Sequence, residues 1–203
     1  MTGNGGRLLI VFSKNPVAGR VKTRLAASIG DQDALEVYET LRTLTLQAAT
    51  GADCTKTVFY SDFIPAEDLL RNGGFDAFLQ EGNDLGERMH KAFLKGFELG
   101  FDHVALIGTD CPGLSSFLID RAFGELEVQD AVIGPARDGG FYLVGLNKPT
   151  PELFLGRKWS TSGVLNESLG ILRKQRAGYA LLPALTDIDT IEDLQESGLW
   201  NLH

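Results

Sequence analysis

Cysteine and histidine are scarce in this 203-residue chain: two Cys, at 54 and 111, and three His. Two cysteines make no disulfide framework, and no C-x-x-C or H-x-x-x-H spacing is present, so reduced thiols and no structural zinc are expected. No apolar run reaches the roughly 18 residues of a membrane span, and "MTGNGG" lacks the apolar core of a signal peptide, which makes the cytoplasm the expected compartment. Cations are outnumbered, 19 Lys and Arg against 27 Asp and Glu, for a net charge of −8. That balance excludes a generally basic face for nucleic acid or anionic lipid. Proline is sparse at seven residues, there is no low-complexity tract or internal repeat, and 43% of residues are hydrophobic. One packed globular domain over 1–203 is expected, with residues 1–6 flexible.

Against this acidic background, "SKNPVAGRVKTRL" concentrates Lys14, Arg20, Lys22 and Arg24. The stretch follows "RLLIVFS", a short run of branched apolar residues that reads as a buried strand. A helix begun at residues 20–29 would bury Val21, Leu25 and Ile29 and set Arg20 and Arg24 four residues apart, where like charges repel and an anion would relieve them. Gly19 would let the backbone approach a phosphate, and free N–H groups at the helix start would favour it further. The plainer reading is a solvated basic turn. The stretch is not a Walker A loop, because G-x-x-x-x-G-K-[ST] is absent.

Strands and helices alternate along the rest of the chain. A helix over 31–50, with Asp31 placed to cap it, precedes strands at "TKTVFYSD" and "FDAFLQE" separated by a short acidic helix from Pro65. Residues 84–99 align Leu85, Met89, Ala92, Phe93 and Phe97 on one helical face, with Gly100 as the stop. "HVALIGTD" is a strand covered on both faces, followed by a helix over 116–126 capped by Ser115 or Ser116. "AVIGPARDGGFYLVGL" reads as two strands about a Gly-rich turn, and a helix, a strand at "YALLP" and a helix in "TIEDLQESGLW" complete the chain. The pattern predicts an α/β domain, a mainly parallel central sheet with helices on both faces, whose ligands bind outside the C-terminal strand ends.

Asp110 stands at such an end, where a carboxylate is placed to hold a Mg²⁺ or Mn²⁺ bridging nucleotide phosphates; a turn ahead of Pro112 explains it equally. Cys111 reads as a small buried filler. In "LTDIDTIEDL", Asp189 with Glu192 has the spacing of an N-cap, while Asp187 has no such local role and is the candidate second metal ligand beside Asp110. Asp138, Gly139 and Gly140 suit a hairpin turn, or else close backbone approach with Asp138 facing a hydroxyl or metal. Gly82, Asn83 and Asp84 enter a helix, as caps or as a second nucleotide contact. Trp159 is core or the aromatic wall of a substrate pocket.

Taken in order, "FSKNPVAGRVKTRL", "GNDLGERM", "IGTDCPGL", "GPARDGGFYLVGL", "WST" and "DIDTIEDL" resemble the glycosyltransferase-A (GT-A) nucleotide-diphospho-sugar transferase superfamily over essentially the whole chain, specifically its small bacterial "transferase 1" branch. "VKTRLA" is also similar to the "AKSRLA" type loop of phospholactate guanylyltransferase. The resemblance implies a single-domain GT-A fold, Lys22 and Arg24 on nucleotide phosphates, and a Mg²⁺ or Mn²⁺ cofactor. Lys14, Gly19, Arg20, Gly82 and Asp84 are further candidates for the nucleotide, and Gly139, Gly140 and Trp159 for the substrate. "GTD" stands where such enzymes carry Asp-x-Asp, with Gly108 or Thr109 at the first acidic place and Asp110 alone. The implied reaction is metal-assisted transfer of a sugar from a nucleoside diphosphate donor to a small-molecule acceptor, with Asp110 and Lys22 catalytic and Asp138 on the acceptor side as a general base. Nucleotidyl transfer with pyrophosphate release, and a catalytically silent nucleotide-binding module, are the alternatives. Base, sugar, acceptor and oligomeric state are not encoded legibly.

Overall fold

Strand β1 (Arg7–Ser13) is buried along almost its whole length because both of its faces are covered. Leu9 and Val11 enter one hydrophobic cluster, while Leu8, Ile10 and Phe12 enter another on the opposite face. A strand whose alternate residues feed two cores must be apolar throughout, which is why "LLIVF" carries no polar interruption. The computed structural model describes residues 6–199, so the expectation for residues 1–5 falls outside the described part.

The other strands are β2 (Thr55–Tyr60), β3 (Asp76–Leu79), β4 (His103–Ile107), β5 (Ala131–Pro135), β6 (Phe141–Leu146) and β7 (Tyr179–Leu181). They form one seven-stranded sheet in the order β3-β2-β1-β4-β6-β5-β7. β1 pairs in parallel with both β2 and β4, and β6 alone runs antiparallel, between β4 and β5. The "ARDGG" turn returns the chain as a hairpin, which makes the mainly parallel sheet a mixed one.

The helices are α1 (Thr23–Ile29), α2 (Asp31–Thr50), α3 (Leu69–Asn72), α4 (Leu85–Glu98), α5 (Ser116–Leu126), α6 (Val164–Lys174) and α7 (Ile191–Ser197). α2 and α5 cover one face through Ala48, Ala49, Ile119 and Phe123; α4 and α6 cover the other through Met89, Phe93, Leu169 and Leu172. Each large apolar side chain so buried contributes ~1.5–3 kcal/mol. A third, smaller cluster of Leu25, Val37, Leu41, Ile188 and Leu194 fastens α1 and α7 to α2.

Four local expectations are corrected. α1 begins at Thr23, so Arg20 lies in the preceding turn, bonded through its N–H to Val17 O, and shares no helical face with Arg24. Gly30, not Asp31, is the N-cap of α2. α3 starts at Leu69 rather than near Pro65, because Asp68 accepts the Leu70 N–H. α7 is capped by Thr190 in a reciprocal box with Asp193, which leaves Asp189 outside the helix. The caps at Asp84 and Ser115 are as expected. Among the described residues no helix is long and apolar enough to cross a membrane.

Candidate functional site

β1 lies between β2 and β4, so the strand order reverses there, and the usual ligand position in such sheets is beyond the C-terminal strand ends at that point. A cleft of about 470 Å³ lies there. It is lined by Lys14, Lys22 and Arg24 from the segment after β1, by Asp110 after β4, by Asp138 and Gly140 of the hairpin, by Trp159, and by Asp187 and Asp189. Residues scattered over most of the sequence meet because the segment after β7 runs beside the end of β5, with Leu185 N–H on Pro135 O, then crosses to β4, with Ile188 N–H on Asp110 O at 3.0 Å.

Lys22 is the most constrained of the cations. Its side chain is only 3% exposed, and its ammonium contacts Asp110, donates to Ile188 O at 2.6 Å and reaches Asp189 Oδ1 at 3.4 Å. Burial opposes its charge, but the two carboxylates outweigh that and hold the ammonium above the ordinary lysine range. Arg24, exposed, lies 3.9 Å from Asp189 Oδ2. Asp189, read from sequence as a cap, is thus an ionic partner of the cationic segment.

Asp187 accepts a hydrogen bond from Cys111 Sγ at 2.5 Å. Burial pushes its carboxyl up to about 6; the thiol donor pulls the other way, and Asp110 and Asp138 add to the rise. Burial, with Asp187 beside it, likewise raises the Cys111 thiol far above its usual range. Asp138 sits exposed at the hairpin tip and accepts the Gly140 N–H at 2.8 Å. Gly139 has φ +91°, and a Cβ there would meet Ser162 O at 2.2 Å, so glycine is required by the approach of the 160–163 segment.

Tyr38 is a residue that sequence reading missed. Its hydroxyl accepts the Lys14 N–H at 2.9 Å and Thr109 Oγ1 at 3.2 Å, and lies 3.1 Å from Lys14 O as donor. One phenol therefore joins the segment after β1 to the segment after β4. Behind it, Arg42 Nε donates to Ser13 Oγ at 3.2 Å, and its guanidinium pairs with buried Asp68, which also receives the Tyr60 hydroxyl. The only sequence signal was a tyrosine next to the buried stripe of a helix, where its hydroxyl must find a partner.

The opposite wall is apolar: Phe12, Met89, Leu106, Phe141 and Trp159. Trp159 meets Phe141 edge-on at 6.1 Å, carries the Arg157 guanidinium 5.0 Å over its ring, and donates Nε1 to Phe154 O at 3.3 Å. Four sequence candidates stand apart from the lining, and a fifth, Gly139, supports it through the hairpin. Gly19 (φ +76°) turns against Asp31, and Arg20 is exposed. Gly82 packs on Glu87 and Arg88, and Asp84 spends Oδ1 on the Glu87 N–H at 2.9 Å, so the start of α4 is closed by its own side chains.

Among the described residues no three His, Cys, Asp or Glu side chains surround a common point. Asp110 and Asp187 nevertheless share the cleft, and a Mg²⁺-type ion is commonly held by one or two carboxylates, its remaining positions filled by phosphate oxygens and water. The cleft also has four carboxylates against three cations, so a polyphosphate meets no excess positive charge without one. The donor set, two carboxylates in one cleft, fits such a hard cation.

Across 96% of this chain and 87% of the other, the protein is 32% identical to a proposed nucleotide-diphospho-sugar transferase from Desulfovibrio desulfuricans G20, with a TM-score of 0.87. The fold, and the fold alone, is shared with the manganese complex of Rv0371c from Mycobacterium tuberculosis H37Rv (14% identity, 95% and 97% of the two chains, TM-score 0.58). It is likewise shared with CMP:2-keto-3-deoxy-manno-octonic acid synthetase complexed with CTP (9%, 97% and 98%, 0.62). No curated protein matches the chain. The nucleotide-diphospho-sugar transferase fold expected from the motifs is therefore the observed one, and residues 43–161 match the family described as "Uncharacterized protein conserved in bacteria (DUF2064)", to which this chain belongs.

Proposed function

We propose that the protein is a cytoplasmic, nucleotide-sugar-dependent transferase that moves a sugar from a nucleoside diphosphate donor to a small-molecule acceptor. The observation that carries this reading is that one cleft, beyond the C-terminal ends of β1 and β4, brings Lys14, Lys22 and Arg24 together with Asp110, Asp187 and an aromatic wall. Lys22 and Arg24, with Lys14 beside them, would hold the diphosphate, and Asp110 and Asp187 would hold a divalent ion whose chemistry is to neutralise the leaving diphosphate. Phe12, Phe141 and Trp159 offer flat apolar surface to the base or to a sugar face. Asp138, at the hairpin tip, would take the proton of the acceptor hydroxyl. Positioning and electrostatic stabilisation would supply most of the rate.

A second reading, nucleotidyl transfer from a triphosphate with release of pyrophosphate, is favoured by two features: the "GTD" segment offers a single carboxylate, Asp110, and the cation-rich segment follows β1 directly. A panel of nucleotide sugars and of nucleoside triphosphates with candidate phosphorylated acceptors, each with Mn²⁺, separates the two. Nucleoside diphosphate release from the sugars supports the first, and pyrophosphate release supports the second. Binding without turnover would leave a silent nucleotide-binding module. No nucleotide binding, or binding unaffected in Asp110→Asn, would overturn the site itself.

A further inference from the structure

A cation already sits on Asp110. The Lys22 side chain is almost fully buried, its ammonium is shared among Asp110, Asp189 and Ile188 O, and its backbone lies in the left-handed region at φ 47°, ψ 43°. A residue with a side chain takes that conformation at a cost, which the contacts of the buried ammonium and the packing around it offset. Lys22 is also the N-cap residue of α1 without a side-chain cap bond; its side chain is directed to the carboxylates instead.

We propose that Lys22 is a resident counter-cation which occupies Asp110 in the ligand-free protein and keeps a lone divalent ion out, releasing the carboxylate only when a polyphosphate accepts the ammonium. This rests on the nucleotide-dependent reading above. Two cations cannot share one carboxylate without mutual repulsion, and in a half-buried site that repulsion is poorly screened. A polyphosphate brings negative charge for the ammonium at the moment the metal takes Asp110, so metal and nucleotide bind with positive coupling, each raising the affinity of the other by the same factor. The consequence is a cleft that does not trap metal without substrate.

The test is Mn²⁺ binding to the nucleotide-free protein, followed by electron paramagnetic resonance of the free ion. Lys22→Met is expected to bind Mn²⁺ about tenfold or more tightly than the wild type, the effect of removing one contacting like charge. Adding Asp110→Asn to Lys22→Met is expected to abolish the gain. Equal or weaker binding by a folded Lys22→Met, or a gain that survives Asp110→Asn, would overturn the proposal. Should Lys22→Met fail to fold, the wild type decides: the ¹⁵Nζ–¹H resonance of Lys22 is expected to hold its position with Mg²⁺ alone and to move with Mg²⁺ plus inorganic pyrophosphate. A shift with Mg²⁺ alone, or none with both, would overturn it. Neither readout requires turnover, so a protein that behaved this way and transferred nothing would sink the proposed activity and leave Lys22's role standing.

Discussion

Cys111 and Asp187, 76 residues apart in sequence, are joined by a 2.5 Å hydrogen bond in which the thiol donates to the carboxylate beside Asp110. Burial, not the thiol, sets the direction of the Asp187 shift, and the thiol moderates it. In metal-free protein, Cys111→Ala is expected to raise the Asp187 carboxyl further above about 6, while Cys111→Ser, which keeps a donor, leaves it close to the wild type. A carboxyl ¹³C titration checks this, and a lowered value in the alanine variant would contradict it. The stability linkage has a definite sign. From the unfolded carboxylate value near ~4 up to about 6, the folded protein binds a proton that the unfolded chain has lost. The contribution of Asp187 to stability is therefore fully present below that window and is lost as pH rises through it.

Tyr38→Phe removes one oxygen that serves Lys14 and Thr109 together. The Lys14 N–H loses its acceptor, for an expected loss of ~1–3 kcal/mol in denaturant unfolding. Because the ring stays and only the tie between two cleft segments goes, nucleotide affinity is also expected to fall by about fivefold, or ~1 kcal/mol, in calorimetric titration. Wild-type stability in this variant would show that the hydroxyl is not the tie between β1 and β4.

Gly86→Ala reverses an ordinary rule. Alanine in a helix is normally preferred over glycine by ~1 kcal/mol. Gly86 lies in the first turn of α4, where an added Cβ would meet Phe154 O at 2.1 Å and Trp159 Nε1 at 2.3 Å. The substitution is expected to cost ~1–3 kcal/mol and to push Trp159 out of the cleft wall. Thermal unfolding measures the sign directly, and a stabilised variant would refute the tight contact.

How far the sequence could be read depended on whether the cause of each feature was local. The stripe Met89, Ala92, Phe93 of α4 and the uninterrupted apolar run of β1 are periodic signals that survive in one dimension, and the caps Asp84 and Ser115 act within three residues of themselves. Asp189 misled for the opposite reason. Its spacing to Glu192 imitates a cap, but Thr190 can bond both ways with Asp193, and Lys22, 167 residues away, draws Asp189 elsewhere. The Arg20–Arg24 face failed similarly: α1 begins only where Lys22 is anchored, three residues after the predicted start.

By itself the amino-acid sequence determined the alternation of strands and helices, the two-faced burial of the central strands, and which short segments carry cations, carboxylates and paired glycines, because periodicity and turn chemistry act over a few residues. Tertiary structure alone decided that β6 inserts antiparallel between β4 and β5, that Tyr38 ties Lys14 to Thr109, and that Lys22 comes to rest on Asp110 while Asp187 takes the Cys111 thiol. Those contacts join residues far apart along the chain, and their partners are chosen by the packing of the sheet, which no local pattern records.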